Sequence, residues 1–325
     1  MRHRNLLIRL AHLASLLALC APLQLAQAQD RAIRLIVPFP PGGSTDITAR
    51  LLAEPLTRLL GQTVIIENRG GAGGSIGMME VAKAAPDGSI FGVATVSTHG
   101  VNPAVYKNLP YDPIKNFAPV TELVQAPGVL VVHPSLPVNN FAELLAYLKA
   151  NPDKLSYAST GNGTISQMWA ELFKTTTGTA MVHVPYKGAG PALTGILGGQ
   201  VAVYFDQVAS AMPHIHTGKL RALAVSWPTR LEPLPDVPTY AEVGFASNND
   251  PSWFGLVAPA GTPAATVQRM RDAAAKAVNE PAVRERLASL GLFPAGTTPA
   301  QFGETIRKEI EKMQGLAKQT GISIE

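Results

Sequence analysis

Most of this chain repeats one local grammar: an apolar strand, a corner of glycine and small polar residues, then an amphipathic helix. Apolar runs at 33–39 (IRLIVPF), 63–68 (TVIIEN) and 89–97 (SIFGVATVS) alternate with two helical segments. In the first, Ile47, Leu51, Leu52, Leu56 and Leu59 recur at helical spacing up to Gly61; the second is IGMMEVAKAA at 76–85. Strand–helix–strand–helix–strand is the pattern of a parallel sheet covered by helices. The same alternation returns over 119–226. The tail supplies one strand, WFGLVAPAG (253–261), and three helices, too few strands for its helices. The economical solution folds the tail back onto the first unit. The chain then crosses between two α/β lobes near 118–126 and near 220–230. Lobe 1 comprises 29–118 plus 228–325, and lobe 2 comprises 119–227, each a mostly parallel sheet flanked by helices.

Three of the corners are unusually rich in glycine: PFPPGGSTDITAR (38–50), YASTGNGTISQ (157–167) and VPYKGAGPAL (184–193). A helix start carries unpaired N–H groups and about half a unit of positive charge, so it attracts anions. Glycine lets a ligand approach the backbone, and ligands of open α/β sheets sit at the carboxyl ends of strands. With the first corner on one lobe and the others on the second, they face across a cleft. Every such corner also needs turn residues and a cap, so a purely structural role competes at each. Asp46 fits a favourable first-turn charge or a contact to a ligand amine or hydroxyl. Asp206 fits a helix cap or a ligand contact. Lys187 fits an anion partner or a solvated loop lysine, and Trp253 fits the cleft or the core.

The first 28 residues form a secretory signal peptide: Arg2, Arg4 and Arg9, an apolar run, and the Ala26-Gln27-Ala28 cleavage pattern. Leu19 stands where a small residue would precede a lipidated Cys20. The signal carries three arginines and no acid. Its removal takes Lys+Arg from 27 to 24 against 23 acids, and removes the one cysteine. The mature chain is thus nearly neutral, without disulfides, and without the clustered basic face of a nucleic-acid partner.

Six blocks resemble, in order, the motif blocks of the Bug-type substrate-binding proteins, the periplasmic receptors of tripartite tricarboxylate transporters. They are IRLIVPFPPGGSTDITAR, VIIENRGGAGGSIGMMEVAKAAPDG, ASTGNGTISQMWAELF, VHVPYKGAGPALTGILGGQVAVYFD, GKLRALAVSWPTRLEPLPDVPTYAEVGF and WFGLVAPAGTP. The resemblance implies a two-lobed periplasmic-binding-protein fold of type II, with a cleft for small carboxylates and no cofactor or metal. It implies a monomer that hands its ligand to the membrane subunits of such a transporter. Carried over, the ligand-binding residues are Phe39, Gly43, Ser44, Thr45 and Asp46; Ser159, Thr160, Asn162, Gly163 and Thr164; and Gly188, Ala189 and Asp206. Two departures stand out: Gln167 where the family often has His, and Trp169 where it often has Leu.

Three other readings compete. GGSIG (73–77) matches the G-x-S-x-G of serine hydrolases, but that motif needs its serine on a sharp strand-to-helix turn, and Arg69 to Gly74 intervene here. His214-Ile215-His216 lacks a Cys, Asp or Glu at metal-ligand spacing. An orphan receptor serving a signalling partner would share every feature of the transport receptor.

Overall fold

A computed structural model describes residues 32–325. The signal peptide, its cleavage at Ala28 and Cys20 lie outside the described residues. The first unit runs β1 (Ile33–Val37), α1 (Ser44–Leu60), β2 (Val64–Asn68), α2 (Ser75–Ala82) and β3 (Ile90–Thr95). After β3 the chain forms a π-helical turn, Ser97–Val101, and a single α-turn, α3 (Asn102–Val105). The sequence pattern reads this stretch as irregular. Its helical turns are short, and Asn102 donates its N–H five residues back to the Ser97 carbonyl, a spacing outside the 3.6 period.

Next come β4 (Phe117–Ala126), β5 (Gly128–Val132), α4 (Phe141–Ala150), β6 (Ser156–Ser159), α5 (Ile165–Thr177) and β7 (Val182–Pro185). They are followed by α6 (Ala189–Leu197), β8 (Val203–Gln207), α7 (Val208–His216) and β9 (Arg221–Ser226). The tail holds β10 (Ser252–Pro259), α8 (Ala264–Ala277), α9 (Pro281–Ser289), β11 (Phe293–Pro294) and α10 (Pro299–Thr320).

Two sheets result, ordered β11-β4-β10-β3-β1-β2 and β7-β6-β8-β5-β9. Strands joined through helices are parallel, as β1 with β2 and β3, and β6 with β7 and β8. The others pair antiparallel: β10 with β3 and β4, β11 with β4, and β5 with β8 and β9. The sheets are therefore mixed, where the sequence pattern suggests mostly parallel ones. A strand arriving from the other lobe enters its sheet without a crossover helix, and that removes the constraint to run parallel.

Strand pairing also moves both lobe boundaries. β4 pairs with β10 from Phe117 to Ala126, so the expected start of lobe 2 at residue 119 falls inside a strand of the first sheet. The passage is at Pro127, between β4 and β5. There a side chain on Gly128 would meet the Trp169 ring at 2.9 Å. Residues beyond 228 remain on the second lobe: Val225 bridges Thr239, and Tyr240 packs edge-on against Phe141. The return passage is at about 249–251, just before β10. Proline-rich 227–245 has no strand period of its own, so its packing is invisible to a pattern reading.

One hydrophobic core runs through both lobes, from Met78, Val96 and Phe302 to Leu130, Trp169 and Phe205. α10 lies on β4 and the π-turn and also reaches α5, clasping the lobes. At the centre, Gly255 on β10 faces the Phe302 ring of α10 at a distance that leaves no room for a methyl group. Gly255→Ala is expected to lower stability by about 1–3 kcal/mol through overpacking, measured as a reduced urea midpoint with unchanged slope.

Candidate functional site

The carboxyl ends of β1, β3, β6 and β8 meet between the lobes, as open α/β sheets require of a ligand site. They enclose a narrow cavity, about 30 Å³ in the closed form. Seven of the thirteen expected residues line it: Phe39, Gly43, Ser44 and Thr45 from lobe 1, and Thr160, Ala189 and Asp206 from lobe 2.

Thr45 and Thr160 bring hydroxyl groups that hold no hydrogen bond among the described residues. α1 begins without a side-chain cap at Gly43, and α6 begins without one at Gly188. Ser44, Thr45 and Ala189 are buried. First-turn N–H groups have no intrahelical partner, and here bulk water is kept away from them. α8 and α9 also lack side-chain caps, but their first residues are exposed. α4 and α10, away from the cleft, are capped by Asn140 and Thr298.

The lobes are closed on each other. Ser44 Oγ accepts from Ser210 N–H at 2.9 Å and lies 2.9 Å from Ser210 Oγ. Ser210 Oγ in turn donates to Asp206 Oδ2 at 2.9 Å. Ser97 Oγ on the π-turn accepts from Ile165 N–H, the first of α5, at 3.0 Å, so lobe 1 caps a helix of lobe 2. Near the mouth, Tyr106 OH donates to the Asn162 carbonyl at 3.2 Å.

The other six expected residues support the corners or lie at the mouth. Asp46 points away from the cavity. It accepts from Gly42 N–H, from Arg50 Nε and from Asn68 Nδ2 at 2.9–3.0 Å. Burial works against its charge, but those donors outweigh it and hold the carboxyl below its ordinary range. Ser159 Oγ is 2.6 Å from His183 Nε2. Thr164 Oγ1 donates to the Gly161 carbonyl at 2.7 Å. Gly163 takes a positive φ of 71°, and its N–H donates to Gln167 Oε1 at 2.9 Å. Gln167, which departs from the family, thus braces the corner. Asn162 and Gly188 line an outer chamber.

Residues not expected also line the cavity: Thr95, Ser97, Ile165, Ser166, Trp169, Gln207 and Phe254. Thr95 ends β3 and Ser97 opens the π-turn after it, and Gln207 ends β8. Both are strand ends without a glycine signature, and position at a strand end was the available signal. Trp169 lines the cavity and donates Nε1–H to the Asp250 carbonyl at 3.0 Å. Trp253 does not: it is buried in the core and donates to Glu309 Oε2 at 3.0 Å. His214 and His216 belong to no cluster able to hold a metal; among the described residues there is none.

Among the described residues Asp206 is the one ionisable group on the cavity wall. Burial pushes its carboxyl up to about 7, against hydrogen bonds from Gln207 N–H and Ser210. A raised carboxyl binds its proton in the folded state while the unfolded chain has released it. Stability therefore falls as pH rises from about 4 through about 7. Asp206→Asn is expected to gain stability relative to the parent over that window. Urea midpoints of the two proteins at pH 5, 6, 7 and 8 check this, and parallel curves would contradict it.

The family description "Tripartite tricarboxylate transporter family receptor" matches residues 48–322. The chain belongs to that family. Protein BugT of Bordetella pertussis is 36% identical over 308 residues, covering 94% of each chain. The solved periplasmic binding protein BugD is 34% identical with a TM-score of 0.88, covering 91% of this chain and 99% of its own. An R. palustris protein solved with adipate is 36% identical with a TM-score of 0.88, covering 90% of this chain and 98% of its own. The two-lobed α/β architecture is that of periplasmic binding proteins, and a receptor of this family is a solute-binding protein.

Proposed function

We propose that this chain is a periplasmic receptor that takes up a small organic carboxylate between its lobes and holds it by closure. The observation that carries the reading is the inner cavity. Both lobes supply its wall, and among the described residues no lysine or arginine lines it, while hydroxyls and uncapped helix starts do. Backbone N–H groups at a helix start hold an anion without a side-chain cation. Burial raises the Asp206 carboxyl to about 7, so near neutral pH a share of it keeps its proton and can donate where a charged carboxylate would repel the ligand. The adipate found in the R. palustris relative is a carboxylate of this kind.

The ligand touches groups from both lobes only when they are closed. Its differential affinity for that state drives the equilibrium towards closure. The closed form is the one to be presented to membrane subunits of a tripartite tricarboxylate transporter. The hydrolase reading gains nothing from the geometry. Ser75 of GGSIG is buried at the start of α2, separated from β2 by the 69–74 loop, and a nucleophile elbow needs that turn to be immediate.

A thermal-shift screen of mono-, di- and tricarboxylates, amino acids and aromatic acids tests the reading. A ligand at a hundred times its Kd adds about 2.7 kcal/mol, a clear rise in Tm; a flat response across the panel would refute the proposal. A second check uses the lobe contact at Gly43, where an added Cβ would come 3.1 Å from the Ala189 Cβ of the other lobe. Gly43→Val is expected to prop the cleft open. Affinity for the best acid of the screen should fall about tenfold, read by calorimetry, while the Tm of the unliganded protein stays close to the parent value.

A further inference from the structure

At about 30 Å³ in the closed form, the inner cavity has room for about two waters. That is the space of a carboxylate group and little beyond it. Part of its wall is the indole of Trp169, on α5. The same ring stands against both passages between the lobes. At the first, it packs on the backbone of Gly128, where an added Cβ would come 2.9 Å from two of its ring atoms. At the second, its Nε1–H donates to the Asp250 carbonyl at 3.0 Å. We propose that Trp169 determines the girth of the ligand: it admits an acid that is unbranched next to its buried carboxylate and turns away one that carries a further group there. The inference rests on the carboxylate-receptor reading above and adds to it which acids the cavity accepts.

Three features fix the ring. Trp169 is buried, and the other void it borders, beside Gly128, Phe205 and Tyr240, is about 10 Å³. That is the lower bound for a single water, so the ring has no room to retreat. Asp250, which holds the indole N–H, is itself tied down: Lys312 of α10 donates to Asp250 Oδ1 at 2.7 Å and pairs with Glu309 at 2.7 Å. The helix that carries the ring is fastened to the same segment, where Thr176 Oγ1 donates to Asn248 Oδ1 at 2.9 Å. A close-packed wall held at two points does not yield to an extra methyl group. The two points also turn size into a signal. A methyl pressed on the ring bears on Gly128 and Asp250, where the chain passes between the lobes. Displacing either works against closure, so a wide acid leaves the lobes apart and loses contacts to one of them. A thin acid leaves the ring where the closed form has it.

The test pairs unbranched mono- and dicarboxylates of four to eight carbons with their 2,2-dimethyl counterparts. They are titrated by calorimetry into the parent protein, Trp169→Leu and Trp169→Phe. Unliganded Tm values check folding, and Trp169→Phe, which keeps a ring at the site, carries the test if Trp169→Leu does not fold. In the parent, the best unbranched acid is expected to bind at least about tenfold tighter than its dimethyl counterpart, the scale on which a pocket reads a methyl group. In Trp169→Leu the gap should fall below about threefold, because the dimethyl acid gains about fivefold in affinity. In Trp169→Phe the same gain should be about twofold. Equal or tighter binding of the dimethyl acids to the parent would overturn the assignment. So would a gap that survives in the folded variants, or one that narrows only because the unbranched acid weakens, which is what a merely structural role predicts. A thermal-shift panel whose only hits are amino acids or aromatic acids would overturn it too. In each of these cases the carboxylate reading itself stands. If no acid of that panel binds the parent, that reading fails and the role of Trp169 fails with it.

Discussion

The closed form hangs on a short chain of hydrogen bonds across the cleft, from Ser44 on lobe 1 to Ser210 and Asp206 on lobe 2. All three residues are buried, so each hydroxyl must find its partner in protein or ligand. Ser97 does the same at the start of α5. Each lobe thus completes polar groups that the other leaves open. On the proposed receptor reading, that complementarity lets a ligand of modest size decide between open and closed, because the lobes are already matched and only the space between them needs filling.

A division of labour follows within the glycine corners. Some residues build the wall and others hold the wall in place. Thr45, Thr160 and Ala189 belong to the first group. Asp46 belongs to the second, where it ties Arg50, Asn68 and the Gly42 amide into one unit. Ser159, Thr164 and Gln167 fix the second corner in the same way. On the proposed carboxylate reading, rigid support of this kind keeps amide groups oriented for an anion before it arrives, which reduces the ordering cost of binding.

The alternation of apolar runs with helical periods made the two lobes legible, because period 2 and period 3.6 are local properties. The glycine corners pointed to the cleft for the same reason. Three things were not legible. Strand direction depends on whether a connection crosses the sheet or passes between lobes, which is a global property. The break at Pro127 separates two strands that the sequence shows, 119–125 and 128–134, but nothing local says that they join different sheets. The roles of Asp46 and Asp206 depend on contacts that span the chain: Asn68 binds the first, and the second holds Ser210, a local partner that Ser44 engages from the other lobe. Asp46 lies in the first turn of α1 and Asp206 within β8 just before α7, and the two are opposite in placement.

The π-turn at 97–101 holds one residue more than the α-helical spacing needs, and Ser97 at its start accepts from the first N–H of α5. Deleting one residue there would restore regular i to i−4 bonding and a better helix. It would also rotate the turn by about 100° and carry the serine out of reach of its partner lobe. The irregularity is therefore where this scaffold trades thermodynamic regularity for domain cohesion, and homologues with a shortened turn should be sturdier proteins and poorer receptors.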